Sequence, residues 1–177
     1  SSVWFSGTHA QIKQFLAQYD WQNAAALAHN AMFDMAILNW HFGIKPKKVA
    51  DTLSMARALH TIEVGGSLAA LAEYYGLGAK GTEVGDALGK RRLDFTAEEL
   101  ARYGEYCKND VALTYKLFGR LAQGFPVSEL NLIDLTIRMF SEPVIELDAG
   151  VLELNLNNVR EAKRVALAKA MIDKDQL

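Results

Sequence analysis

The feature that most constrains this chain is a change of period at residue 29. Ala24 to Ala28 is a run of small apolar residues, and directly after it apolar positions recur at helical spacing from Met32 to His41. A short apolar run that feeds straight into a helix reads as a buried strand of an α/β unit. Polar groups at such a junction face a cleft at the carboxyl end of the strand. Here the junction is His29-Asn30, and Asp34 follows in the first helical turn. The helix dipole there favours a carboxylate by about 0.3–1 kcal/mol, so capping alone is one account of Asp34. His29 and Asn30 read either as satisfied turn residues or as donors to a phosphate or base. Phe33 reads as half core and half stacking surface.

The rest of the chain repeats this grammar. Val3 to Phe5 reads as a short strand, and Thr8…Gln11 is a capping box opening a helix with Ile12, Phe15, Leu16 and Tyr19 on one face. The helix after Asp34 should bury Phe33, Ile37 and Trp40 and stop at Gly43 in a left-handed cap. Val49-Ala50 is a second strand, and Asp51 caps the next helix. Ser67 caps another, which Gly76 ends. Gly76 to Asp94 reads as a mobile, charged loop with Lys80, Glu83, Asp86, Lys90, Arg91 and Arg92. Thr96…Glu99 is a second capping box, opening one bent helix or two. A boundary is expected at 123–128, then a helix over Leu130–Phe140 that Pro143 ends, a strand at Val144–Leu147, and a long helix from Val151 to Met171.

Tyr106 and Asp110 stand four apart, so on a helix the phenol and the carboxylate share a face. Such a pair can hold a divalent cation while the phenol orients a water beside it; packing by the ring and solvation of the acid is the plainer account. The formal net charge of −2 argues against broad coating of duplex nucleic acid, which calls for a basic domain. It leaves room for gripping a few nucleotides through bound cations. No apolar run is long enough to cross a bilayer. The single cysteine, Cys107, cannot form an internal disulfide, which fits a reducing, cytoplasmic setting.

Taken together and in order, the motifs are more specific than any one of them. His29-Asn30-x-x-Phe33-Asp34, then Asp51-Thr52-Leu53, then Leu100-x-x-Tyr103-x-x-Tyr106-x-x-x-Asp110-Val111-x-x-Thr114 resembles the DEDDy 3′–5′ exonucleases, and most of all the proofreading domain of family A, phage-type DNA polymerases. The stretch from Leu132 to Asp148 resembles the segment joining that domain to the polymerase thumb. The resemblance implies an α/β, RNase H-like fold, a mixed sheet flanked by helices, followed by a helical connector and the start of a thumb. It implies an exonuclease domain over 1–122 and connector plus thumb over 123–177. It places metal-binding aspartates at Asp34 and Asp110 and the water-orienting tyrosine at Tyr106. Substrate contacts fall on His29, Asn30 and Phe33. The implied reaction is two-cation hydrolysis, with magnesium (Mg2+) or manganese, at the 3′ end of single-stranded DNA. The implied partner is the polymerase domain of the same parent chain, and the setting is cytoplasmic (host cytoplasm if phage-encoded).

The pattern departs in one place. The family carries an Asp-x-Glu on its first strand, and no aspartate here is followed two residues later by glutamate. The expectation is therefore a fragment lacking the first strands, inactive by itself. The rival readings are a ribonuclease D-like enzyme acting on RNA and a nuclease-like scaffold that binds without catalysis. Lys45, Lys47 and Lys48 read as a solvated loop, and Lys90-Arg91-Arg92 as a stronger candidate for phosphate contact.

Overall fold

Capping chemistry sets where most helices begin. The computed structural model describes residues 2–60, 63–81 and 89–170. Thr8 opens α1 (His9–Leu16): its hydroxyl accepts from the Gln11 N–H, and the Gln11 side chain accepts from the Thr8 N–H at 2.8 Å. β1 (Ala25–Ala28) leads into α2 (Ala31–Phe42), which stops at Gly43 with φ 68°. There the Gly43 N–H reaches Asn39 O and the Ile44 N–H reaches Leu38 O, a two-bond left-handed stop. β2 (Lys48–Asp51) runs directly into α3 (Thr52–His60), and Ser67 caps α4 (Leu68–Tyr74). A 3-10 turn at Arg92–Asp94 precedes α5 (Ala97–Leu121), one continuous helix of 25 residues opened by the Thr96…Glu99 box. α6 (Val127–Ser141) completes a compact unit that extends through Glu142.

β1 and β2 pair in parallel, Ala26 against Val49 and Ala28 against Asp51, so both strands end on the same side. Among the described residues this is the whole sheet. It is smaller than the mixed sheet the resemblance implies, although the α/β class holds. One core packs Met55, Leu71, Leu113, Leu117 and Leu121 between α3, α4 and α5. A second packs Ala26, Met35, Val49 and Ile137 between the sheet, α2 and α6, and Ile133 touches both. Asp134 fastens α6 to the sheet by accepting from the Val49 N–H at 2.9 Å, which covers the β2 edge away from β1. Arg138 adds bonds to the Pro46 and Lys47 carbonyls.

Several local expectations give way. Val3–Phe5 is not a strand: its aromatic side chains dock instead, Trp4 edge-on to Tyr103 at 5.9 Å and Phe5 stacked on Phe15 at 4.6 Å. α2 turns Ala31, Met35 and Ala36 inward and leaves Phe33 and Trp40 exposed. A strand of alanines lets the helix approach closely, so small side chains fill the interface and large rings are pushed to the flanks. Trp40 packs on Phe140 and donates to Ser141 O.

The second unit begins at Pro143. Val144–Leu147 is not a strand and is exposed, since no strand edge lies beside it within its unit. α7 (Ala149–Lys169) is capped by Asp148, which accepts from the Val151 N–H. The expected end at Met171, like Glu83 and Asp86 of the loop, lies outside the described residues. No helix among the described residues is long and apolar enough to cross a membrane.

Candidate active site

The cleft forms where the two parallel strands end. It has a volume of about 620 Å³, and His29, Asn30, Asp34, Lys80, Asp110 and Tyr115 are among the residues lining it. Asn30 makes the sharp exit from β1 in the left-handed region, φ 69°, the only non-glycine residue described there. Asparagine tolerates that conformation better than most residues, which frees the next residue to start α2 at once.

Asp51 holds this corner. It is 4% exposed, and its carboxylate receives donors from two helices. Oδ1 accepts from the N–H groups of Asn30 (2.8 Å), Ala31 (3.3 Å) and Leu53 (3.1 Å). Oδ2 accepts from the Ser54 N–H (3.2 Å) and hydroxyl (2.6 Å). The sequence announces the cap on α3. The cap on α2 exists only because the strand register puts Ala28 beside Asp51.

His29 is fastened at both ring nitrogens. Nε2 donates to Gly66 O at 2.9 Å, which leaves Nδ1 to accept from the Thr52 hydroxyl at 2.9 Å. Burial lowers its pKa, which favours the neutral ring that makes this pattern. Its nitrogens are therefore spent inside the protein, although the residue lines the cleft. Asp34 stands on the first turn of α2 at the cleft wall. Desolvation pushes its carboxyl above the usual value, its own backbone N–H opposes that, and Asp51 adds to it.

Asp110 and Tyr106 come from α5 on the opposite side. The Lys80 ammonium bonds both of them, donating to the Tyr106 hydroxyl (2.6 Å) and to Asp110 Oδ2. The other oxygen, Asp110 Oδ1, is buried with no hydrogen-bond partner among the described residues. Burial works against the charge on Lys80, but the bonds to Asp110 and Tyr106 outweigh it and hold the ammonium above the ordinary lysine value. Tyr106 is buried and shifted up by desolvation, and it stacks on Tyr103 at 5.8 Å. Trp4 meets Tyr103 edge-on and covers Gly104, where a Cβ would stand 2.6 Å from the indole. An aromatic column thus fixes the phenol.

Asp34, Asp110, His29 and Asn30 therefore share one cleft, and Lys80 ties Tyr106 to it. Phe33 is set apart in an adjoining apolar groove with Tyr19, Trp21 and Val111, and Asp34 stands on the wall common to both. Lys80 is the residue that sequence reasoning missed: it reads as one more charge in a loop. Lys90 pairs with Glu99 and lies over Phe95, so it is not free for phosphate contact as Lys90-Arg91-Arg92 suggests in sequence. The Cys107 thiol is pushed up by burial, which suits a packed side chain and not a nucleophile.

The donors fit a hard divalent cation in kind. They are carboxylate oxygens, one of them buried and orphaned, beside a point that already attracts an ammonium. They fall short in number, because among the described residues no three His, Cys, Asp or Glu side chains are grouped so that they could hold a metal ion.

Residues 10–124, well over half of the chain, match the protein family described as 3′–5′ exonuclease. No curated protein and no solved structure gives a match.

Proposed function

We propose a function from one premise: the chain belongs to the 3′–5′ exonuclease family. On that premise it is the proofreading portion of a family A, phage-type DNA polymerase, of the DEDDy subclass, and it removes 3′-terminal nucleotides from single-stranded DNA. The observation that carries the reading is the meeting of Asp34 and Asp110, 76 positions apart in sequence, across one cleft. The polymerase domain of the same parent chain is its partner. Residues 1–122 act as the exonuclease domain, and 123–177 as connector and first part of a thumb. The setting is cytoplasmic, which agrees with a single unpaired cysteine.

Asp34 and Asp110 are the residues that would hold magnesium or manganese, which when bound supplies Lewis acidity and lowers the pKa of a coordinated water. The chain's own groups do the rest. The Tyr106 hydroxyl, kept protonated by burial, orients the attacking water beside Asp110. Asn30 offers its exposed amide to the terminal nucleotide, and the His29 ring gives that nucleotide a fixed wall. Phe33, 68% exposed, supplies a stacking face for the terminal base beside an apolar groove. With these two carboxylates alone to hold the cations, the chain by itself is inactive.

The test is release of a labelled nucleotide from the 3′ end of single-stranded DNA by the parent protein. Asp110→Ala abolishes trimming and leaves polymerisation largely intact, while Tyr106→Phe slows trimming less. Trimming by Asp110→Ala within a few-fold of wild type refutes the assignment. An RNA strand cut faster than the matching DNA favours the ribonuclease reading instead.

A further inference from the structure

Lys80 is placed with more care than a surface loop residue needs. The segment that carries it leaves α4 through Gly76 and Gly78, and Gly78 has φ 125°, a conformation side chains rarely adopt. The segment is then fastened along α5, where the Lys116 ammonium donates to Leu77 O at 3.4 Å and the Asn109 amide donates to Ala79 O at 3.1 Å. These two anchors bring the Lys80 ammonium down between Tyr106 and Asp110, 4.6 Å from the centre of the phenol ring. Lys80 is about one-quarter exposed, so it can leave without unfolding anything.

We infer that Lys80 is a built-in monovalent cation that holds the Tyr106–Asp110 pair together and must swing off Asp110 when a divalent cation enters. The inference rests on the proposed function, because it takes Asp110 as a metal ligand. Two observations carry it. Asp110 Oδ2 is occupied by the ammonium, and Oδ1 next to it is buried and empty-handed among the described residues. A cation arriving at Oδ1 meets a like charge bonded to the same carboxylate, and the repulsion between the two favours release of the ammonium. The exchange forms no covalent bond: the ammonium leaves still protonated and takes up water. Lys80 is thus a positioning residue, one that keeps an incomplete site ordered and charge-balanced without metal.

The experiment is Mn2+ binding to the full 177-residue chain, read as loss of the free-ion electron paramagnetic resonance signal. Lys80→Met should bind Mn2+ roughly fivefold more tightly than wild type, the order expected when one partly exposed ion pair no longer has to break. Lys80→Arg should bind close to wild type. A merely structural role would weaken binding in Lys80→Met, the opposite sign. Unchanged or weaker binding in Lys80→Met, with Asp110→Asn still lowering affinity, overturns this inference and leaves the metal-site reading standing. Absence of Asp110-dependent binding in every chain overturns both. A second measurement needs no variant: acylation of the Lys80 amine in wild type, mapped by mass spectrometry, should speed up on adding Mn2+ while that of Lys163 does not. No cation-dependent rise sinks the exchange.

Discussion

Asp51→Ala is the sharpest test of how the site is held. The carboxylate receives four backbone N–H groups and one hydroxyl, and it is 4% exposed, so water cannot replace it without rearrangement. Losing one N-cap costs about 1–2 kcal/mol, and this one residue caps both α2 and α3, which gives about 2–4 kcal/mol. Buried donors left without an acceptor add to that, at about 1–3 kcal/mol each when truly orphaned, so a total near 4 kcal/mol is the reasoned value. Asp51→Asn keeps one carbonyl oxygen but turns an amide against N–H donors, and should lose about half as much. Urea denaturation at pH 7, followed by tryptophan fluorescence, reports on the right unit because Trp4, Trp21 and Trp40 all precede Pro143. The midpoint should fall with an unchanged slope, and the melting temperature should drop by roughly 8–16 °C, at about 2–4 °C per kcal/mol for a domain of this size. If Asp51→Ala lies within about 1 kcal/mol of wild type, the double cap is not what orders the corner.

Two further outcomes follow from the same corner. Asn30→Gly should be neutral or slightly stabilising in urea, whereas Asn30→Ala should cost about 1 kcal/mol, because only the second puts an ordinary Cβ in the left-handed region; equal costs would show that the amide, not the backbone, matters. For His29, burial lowers the folded pKa below the ordinary 6.5, so the unfolded chain binds its proton first and stability falls as pH drops below that value. Urea midpoints measured between pH 7.5 and 5.5 should show that fall and a flatter profile in His29→Gln, and a wild-type profile that rises on acidification contradicts the neutral, doubly bonded ring. Asp34 works in a different window: its raised pKa makes the folded state hold the proton longer, so its contribution falls as pH climbs above the ordinary 3.8.

How much could be read from residues alone divides cleanly by range. The Thr8 and Thr96 boxes, the Ser67 cap, the Gly43 stop and the strand at Ala25–Ala28 are each decided within about one turn of chain, by donors and acceptors a few positions apart. The same holds for the paired face of Tyr106 and Asp110. Val3–Phe5 and Val144–Leu147 failed as strands because a strand needs an edge to pair with, and composition is silent about edges. Phe33 and Trp40 failed as inward residues because hydrophobicity does not say that an alanine strand lets a helix come too close for rings.

Local sequence thus determined the helices, their ends and the α/β alternation, since hydrogen bonds three or four residues long need no knowledge of the fold. Only the tertiary structure decided that Asp51 serves two helices, that both His29 nitrogens are spent on Thr52 and Gly66, and that Lys80 lies against a carboxylate 30 positions away. Those meetings depend on strand register and on how helices settle over a small sheet, which are sums of packing over the whole chain and leave no mark at any single position.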